Sequence, residues 1–250
     1  VGVLAACGST KKDNAAGNSS TKKVLTMGTS ADYPPFESVD TAGSKKIIGF
    51  DVDLANAIAG KLGYKVQVKD MDFSGLIQAI KSGQVDFVMA GMTPTADRKK
   101  NVDFSDIYYT AQNMIVSKKS SSINKLDELK GKTVGVQLGS IQEGKAKDLN
   151  KTTPMNIVNR DRIPDLIEEL KAGRMDAAII EDTVAKGFLV KETELKGFTI
   201  NDDPEAGSAI AFPKNSDLTA KFNKELKTMK QNGELKKLIL KWFGGDAKQQ

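Results

Sequence analysis

A chain of 250 residues is long enough for one large domain or two compact lobes, and its apolar and charged fractions, 39% and 28%, are those of an ordinary globular protein. With no histidine and a single cysteine, Cys7, the sequence excludes a Ser-His-Asp or Cys-His catalytic arrangement, a His/Cys zinc site and an intrachain disulfide. The formal charge of +5 does not imply a nucleic-acid partner: four lysines against Asp13 within residues 1–23 carry most of it, and elsewhere lysines alternate with acids (Lys65, Asp70, Asp72, Lys81, Asp86) as on a solvated surface.

The chain opens Val1-Gly2-Val3-Leu4-Ala5-Ala6-Cys7-Gly8, an apolar run with small residues that is similar to the end of a secretory signal peptide. Leu4-Ala5-Ala6-Cys7 resembles the bacterial lipobox, in which the cysteine is lipidated. A buried free cysteine is the alternative. It fits poorly with the polar stretch GSTKKDNAAGNSSTKK that follows, which has too little apolar surface to order itself. Residues 1–23 are therefore expected to be a signal-peptide remnant, a lipobox and a flexible tether. That places the protein outside the cell membrane, anchored through a lipid on Cys7. No later segment approaches the roughly 18 consecutive apolar residues of a membrane span.

The first body element is Val24-Leu25-Thr26-Met27, a short apolar run ending at Gly28 that suits a buried strand. A helix is predicted over about 51–62, with Leu54, Ala55, Ile58 and Leu62 on one face and Gly63 at a left-handed C-terminal cap. Val66-Gln67-Val68 reads as the next strand, Ser74 to Gly83 as a second helix, and Val85 to Met89 as a third strand. This alternation means a parallel sheet covered by helices.

The pattern then returns. Leu76-Ile77-Gln78-Ala79-Ile80-Lys81-Ser82-Gly83-Gln84-Val85-Asp86 lies over Leu166-Ile167-Glu168-Glu169-Leu170-Lys171-Ala172-Gly173-Arg174-Met175-Asp176 without a gap. The same offset pairs Val66–Val68 with Asn156–Val158, and Val24–Ser30 matches Thr133–Ser140 at another offset. Generic βα units look partly alike, but matched leucine, lysine, glycine and aspartate in register predict two similar lobes. The fold class is therefore α/β, two βα lobes. Lobe 1 is expected at 24–111 plus 210–246 and lobe 2 at 112–209, with crossings at Thr110–Asn113 and Gly207–Ala211. Helices near 217–230 and 234–243 complete lobe 1.

Open sheets of this kind bind ligands beyond the carboxyl ends of their strands, so the site is expected in a cleft lined by loops starting near Ser30, Ala90, Leu138 and Glu181. After the first strand, Asp32-Tyr33-Pro34-Pro35-Phe36-Glu37 carries paired prolines, which predict an extended, rigid loop. Tyr33 there either covers a ligand or is an ordinary half-buried tyrosine. After the third strand, Ala90-Gly91-Met92-Thr93-Pro94-Thr95-Ala96-Asp97-Arg98 offers a glycine for close backbone approach and Thr95 as an N-cap. Arg98 one turn into that helix opposes the dipole. It either faces a ligand carboxylate or pairs with Asp97 or Asp103. Gly139-Ser140-Ile141-Gln142-Glu143 has capping-box spacing and opens a helix whose free N–H groups suit an anion. Ile179-Ile180 runs into Glu181-Asp182, which sets a carboxylate at a strand end where it suits an ammonium or is simply solvated.

Several stretches together resemble one family. They are Gly28–Glu37, Ile48–Ala55 (IGFDVDLA), Gly91–Arg98, Val102–Ser105, Leu129–Val136 and Lys241–Phe243. Residues from about 22 to 244 are similar to the polar amino-acid-binding solute-binding proteins with the type II periplasmic-binding-protein fold, nearest to arginine-binding lipoproteins of Gram-positive bacteria. The resemblance implies central mixed sheets joined by a two-segment hinge, and a monomer serving an ABC importer permease, with no cofactor, no metal and no catalysis. Arg98 would grip the ligand carboxylate with the N–H groups of Thr93 and Ile141. Glu181, the Gly91 carbonyl and Thr93 would hold the ammonium. Tyr33 and Phe73 would wall the side chain, with Ser30, Ala90, Met92, Gln137, Ser140 and Gln142 nearby. Departures from the family pattern are Glu181 in place of an aspartate, Ala90-Gly91 in place of two serines, and Ser30 in place of an acid of some basic-ligand binders. Asp32 or Glu37 would then supply the charge for a basic side chain, and the aromatic walls favour a guanidinium. The expected ligand is a basic amino acid, arginine first, with lysine, histidine and glutamine as alternatives. A carboxylate-dependent lyase and an amino-acid-sensing ectodomain on the same fold are the rival readings.

Overall fold

A computed structural model describes residue 2, residues 23–201 and residues 206–244. Cys7 and residues 8–22 of the expected tether lie outside the described residues, whereas Lys23, expected as the tether's last residue, already begins the first strand. The chain opens with β1 (Lys23–Thr29), a small antiparallel set β2 (Asp32–Tyr33), β3 (Glu37–Val39) and β4 (Ile47–Ile48), then helix α1 (Phe50–Lys61) and β5 (Tyr64–Asp70). Helix α2 (Leu76–Lys81), β6 (Phe87–Val88), α3 (Ala96–Lys99) and β7 (Val102–Phe104) follow. The next elements are β8 (Tyr109–Ala111), β9 (Asn113–Lys118), β10 (Thr133–Gln137), α4 (Ile141–Asn150), β11 (Asn156–Arg160), α5 (Ile163–Lys171), β12 (Ala177–Glu181), α6 (Asp182–Lys191) and β13 (Leu195–Thr199). The chain then runs through β14 (Ala206–Ser208) and β15 (Ala211–Pro213) into α7 (Asp217–Asn232) and α8 (Glu234–Phe243).

Two five-stranded sheets share one plan. Their orders are β5-β1-β6-β15-β7 and β11-β10-β12-β9-β13. In each, the first three strands run parallel, and the fourth, which arrives from the other sheet, runs antiparallel to both neighbours. The chain therefore passes twice between sheets, and at the passage β8 pairs antiparallel with β14, Thr110 opposite Gly207. These are the central mixed sheets and two-segment connection expected from sequence.

The internal repeat has a structural cause. Gly83 (φ 74°) and Gly173 (φ 73°) both adopt the left-handed conformation that ends a helix without a Cβ penalty. The following residues, Gln84 and Arg174, donate back to Ala79 O and Glu169 O, at 3.0 and 2.9 Å. Two residues on, Asp86 and Asp176 each make a two-bond clasp to the first strand of their sheet. Asp86 N donates to Thr26 O (2.8 Å) and its carboxylate accepts from Thr26 N (2.7 Å). Asp176 N donates to Thr133 O (2.9 Å) and its carboxylate accepts from Thr133 N (2.8 Å). The Gly-x-x-Asp of each copy thus stops a helix and sets the register of the strand after it.

The apolar face predicted for α1 is buried: Leu54, Ala55 and Ile58 are fully inaccessible. Aromatic side chains knot the passage between sheets, with Tyr109 stacked on Phe243 at 4.3 Å and Phe36 edge-on to both. The closing Lys241-Trp242-Phe243 returns to the start of α1, where Lys241 Nζ and Trp242 Nε1 meet Asp53 Oδ2 at 2.7 and 2.8 Å. The paired prolines do not extend the chain. Pro34 and Pro35, joined by a cis peptide, sit in a tight reversal closed by Phe36 N to Tyr33 O (2.9 Å), so that β2 and β3 form a hairpin. The third strand is shorter than the predicted 85–89, and the helix from Ser74 begins two residues later, after a 3-10 turn over Phe73–Gly75. Among the described residues no helix is long and apolar enough to cross a membrane.

Candidate functional site

The loops beyond β1, β6, β10 and β12 converge where the two sheets face each other. Tyr33, Phe73, Ala90, Gly91, Thr93 and Arg98 from one side meet Gln137, Ser140, Ile141, Gln142 and Glu181 from the other around a cavity of about 20 Å³. That is space for about one water molecule. The lobes are apposed here, and an amino acid enters only if they part.

Arg98 lies in the one-turn helix α3, whose N-cap Thr95 accepts from Arg98 N at 3.2 Å. Its guanidinium folds back to donate to Thr93 O (2.8 Å) and across the cleft to Gly139 O (2.9 Å), with Cζ 5.3 Å from the centroid of the Phe73 ring. Neither surface-pair alternative for Arg98 holds. Asp97 pairs with Lys100 at 2.7 Å and Asp103 with Lys214 at 3.1 Å. Burial pulls the Arg98 pKa down to about 10, and among the described residues no carboxylate offsets that shift. A guanidinium that satisfies two carbonyls and lacks a counter-ion suits an incoming carboxylate.

On the opposite side, Ser140 caps α4 by accepting from Glu143 N (3.2 Å), while Glu143 Oε1 accepts from Gly139 N (3.3 Å) instead of closing the box at Ser140. The first-turn N–H groups of Ile141 and Gln142 have no intrahelical acceptor and point to the cleft end of the helix. Glu181, the last residue of β12, is 4% exposed. Its Oε1 accepts from Thr183 N at 2.9 Å, while Oε2 is buried with no hydrogen-bond partner among the described residues. Burial pushes its pKa up to about 8; the Thr183 contact opposes that rise and Asp182 adds to it. An unsatisfied buried carboxylate oxygen carries a penalty of about 1–3 kcal/mol until a donor reaches it. Tyr33 faces this carboxylate, and its own pKa is raised well above the ordinary value by burial and then by Glu181.

Gly91 (φ 56°) holds the turn under Tyr33. A Cβ there would stand 2.9 Å from the ring. The remaining residues singled out in the sequence divide. Ser30, Asp32, Glu37 and Met92 are buried but do not line the cavity. Ser30 Oγ donates to Asp32 Oδ1, and Asp32 Oδ2 accepts from Gln137 Nε2 (3.1 Å) and Ile163 N (2.7 Å), so its oxygens already join β2 to the facing lobe. Glu37 sits behind the site against Asp51. Gln142 Nε2 donates to Asn113 Oδ1 at 2.9 Å.

One residue was not found from sequence. Arg162, the N-cap of α5, reaches across the cleft to Asp70 (2.9 Å), Asp72 (2.9 Å) and Ser30 Oγ (3.3 Å). Its only signal was a cation at a helix start, since its partners Asp70 and Ser30 lie 92 and 132 positions upstream. Among the described residues no cluster of side chains could hold a metal.

Two sheets of identical order, paired strands between them and a cavity at their facing strand ends define a two-lobed protein of the periplasmic-binding type. The chain belongs to the bacterial extracellular solute-binding proteins, family 3, whose pattern matches residues 25–245. It is 58% identical over 246 residues to the arginine-binding extracellular protein ArtP of Bacillus subtilis, covering 98% of this chain and 94% of that protein. A crystal structure of the substrate-binding protein of an amino acid ABC transporter superposes with a TM-score of 0.84 at 48% identity, covering 89% of this chain and all of the other. An ancestral arginine-binding protein bound to arginine gives a TM-score of 0.81 at 44% identity, covering 88% and 98%.

Proposed function

We propose that the protein captures free L-arginine outside the cell and delivers it to the permease of an ABC importer. The observation that carries this is a cavity holding a guanidinium without a counter-ion and a buried carboxylate oxygen without a donor, on opposite walls between two aromatic rings. An α-amino acid supplies both missing partners. Its carboxylate meets Arg98 and the N–H groups of Thr93 and Ile141. Its ammonium meets Glu181 Oε2, the Gly91 carbonyl and Thr93. The side chain runs between Tyr33 and Phe73, where a planar guanidinium gains stacking and cation–π contact. Ala90, Gln137, Ser140 and Gln142 complete the wall, and Asp32 acts on the side-chain end through Gln137. Two of the three relatives named above, ArtP and the ancestral protein, are arginine binders by name, which supports arginine over lysine, histidine or glutamine.

Lobe 1 is taken as residues 24–111 with 210–246 and lobe 2 as 112–209, a division supported by strand membership in the two sheets. Contacts made by both lobes exist only when they are apposed, so ligand binding shifts the population toward the closed form, which the permease recognises. A lipid on Cys7 tethers a monomer to the outer face of the membrane. The protein binds and releases its ligand unchanged.

Thermal unfolding with each of the twenty amino acids tests the assignment. Arginine at a hundredfold its Kd is expected to stabilise by about 2.7 kcal/mol, a rise of about 5–10 °C. No shift with any basic or polar amino acid would remove the proposal. Turnover of a cyclic dienyl acid would favour the lyase instead, with Glu181 as its proton carrier.

A further inference from the structure

Directly behind the ligand cavity lies a buried acid pair that the binding reading does not use. Glu37 opens β3 and Asp51 lies in the first turn of α1, and neither is exposed. The β2–β3 hairpin is pinned to this helix start by Phe50 N to Pro35 O and Asp51 N to Phe36 O, both 2.9 Å, and the Glu37 and Asp51 carboxyls lie within hydrogen-bonding reach of each other. Asp51 spends both oxygens outward: Oδ2 accepts from Gly91 N (2.9 Å) and Oδ1 from Tyr108 Oη (2.7 Å). Neither Glu37 oxygen has another partner, and the group it faces, Asp51, is an acceptor unless a proton lies between them. The remaining titratable groups around the pair are Asp32 of β2, Asp70 at the end of β5 and Tyr108 before β8, with Tyr33 beside Glu37. No cation offsets the two acids among the described residues.

We propose that Glu37 and Asp51 hold one proton between them at neutral pH, and that this pair positions the ligand-binding Gly91 turn. Glu37 keeps the proton and donates it to Asp51. Asp51, whose charge is favoured by the helix start, stays ionised and anchors Gly91 on one side and Tyr108, the residue leading into the crossing strand, on the other. The pair thereby ties a ligand-contacting turn to the connection between lobes. Burial pushes Glu37 well above the usual carboxyl range and Asp51 up to about 6, which agrees with a single shared proton at pH 7. Two like charges this deep in a low-dielectric interior do not both ionise.

A carboxyl raised on folding contributes stability that is complete below its unfolded value and is lost as pH climbs through its folded value. Glu37→Gln supplies a permanent donor to Asp51 and does not titrate. The unfolding midpoints of wild type and Glu37→Gln, both without ligand, are compared from pH 5 to 9. The gap in favour of the variant is expected to widen by about 3 °C per pH unit from pH 5 upward until Glu37 itself ionises. Parallel profiles would overturn the shared proton. Asp51→Asn keeps only one acceptor oxygen and is expected to weaken arginine binding about tenfold; unchanged affinity would overturn the positioning role. Should that variant not fold, the amide resonance of Gly91 in wild type takes its place: it moves with a midpoint near pH 6 if Asp51 is its acceptor, and a resonance fixed from pH 5 to 8 contradicts the pair. The stability and resonance readouts need no ligand. They therefore fail separately from the arginine assignment, on which only the affinity readout rests.

Discussion

At the scale of single residues, Glu181 makes the site pH-dependent. With its pKa raised to about 8, Glu181, the proposed ammonium partner, is expected to hold a proton at pH 7 in the apposed, ligand-free form and to lose it when a ligand ammonium arrives. Arginine binding near pH 7 is therefore expected to release close to one proton. Affinity should climb about tenfold per pH unit from 6 toward 8 and then level. Calorimetry in buffers of different ionisation enthalpy measures this directly, and Glu181→Gln should abolish the release. A binding heat that ignores the buffer would mean that Glu181 is not the ammonium partner. Sequence made Arg98 and Glu181 legible through two physical anomalies, a cation at a helix start and an acid ending an apolar strand. Asp32 and Glu37 were legible as acids near the cleft but not in their roles, because those roles depend on partners far along the chain. Asp32 answers Ile163 N, 131 positions away, and Glu37 is turned by a hairpin that the prolines concealed.

At the scale of elements, the clasp from α5 to the end of β5 holds the lobes together. Arg162, Asp70 and Asp72 are 27%, 39% and 51% exposed in their side chains, so solvent screens each pair to about 0.5–1 kcal/mol. Arg162→Ala is then expected to loosen closure and weaken arginine binding by no more than about tenfold. X-ray scattering should show a larger ligand-free radius of gyration, and an unchanged radius would mean that the clasp contributes nothing. The repeated clasps at Asp86 and Asp176 belong to separate sheets. Asp86→Asn and Asp176→Asn are each expected to cost about 1 kcal/mol and to add in the double variant, because they share no partner. Chemical denaturation reads this, and a double variant costing no more than either single would refute independent lobes. The repeat was legible because its marks, the helix-stop glycine and the aspartate three positions on, sit close together in sequence, although each aspartate's partner, Thr26 or Thr133, lies 60 or 43 positions upstream. The clasp was not, since Arg162 and its acids lie on different copies.

At the scale of the whole molecule, the alternation of strands and helices and their return predicted two α/β lobes. That each sheet takes its fourth strand from the chain arriving from the other is not written in the local pattern, because it joins segments far apart in sequence. That exchange makes the lobes hinged halves of one binding device and sets Arg98 and Glu181 on opposite walls of the same cleft. The central claim is that a zwitterion bridges those walls. Titration calorimetry of L-arginine into wild type and Arg98→Ala at pH 8 tests it most directly. Wild type is expected to bind one arginine per chain, and the variant to lose affinity by a hundredfold or more, about 3 kcal/mol for an unpaired buried charge partner. Equal binding by the two proteins would contradict the account.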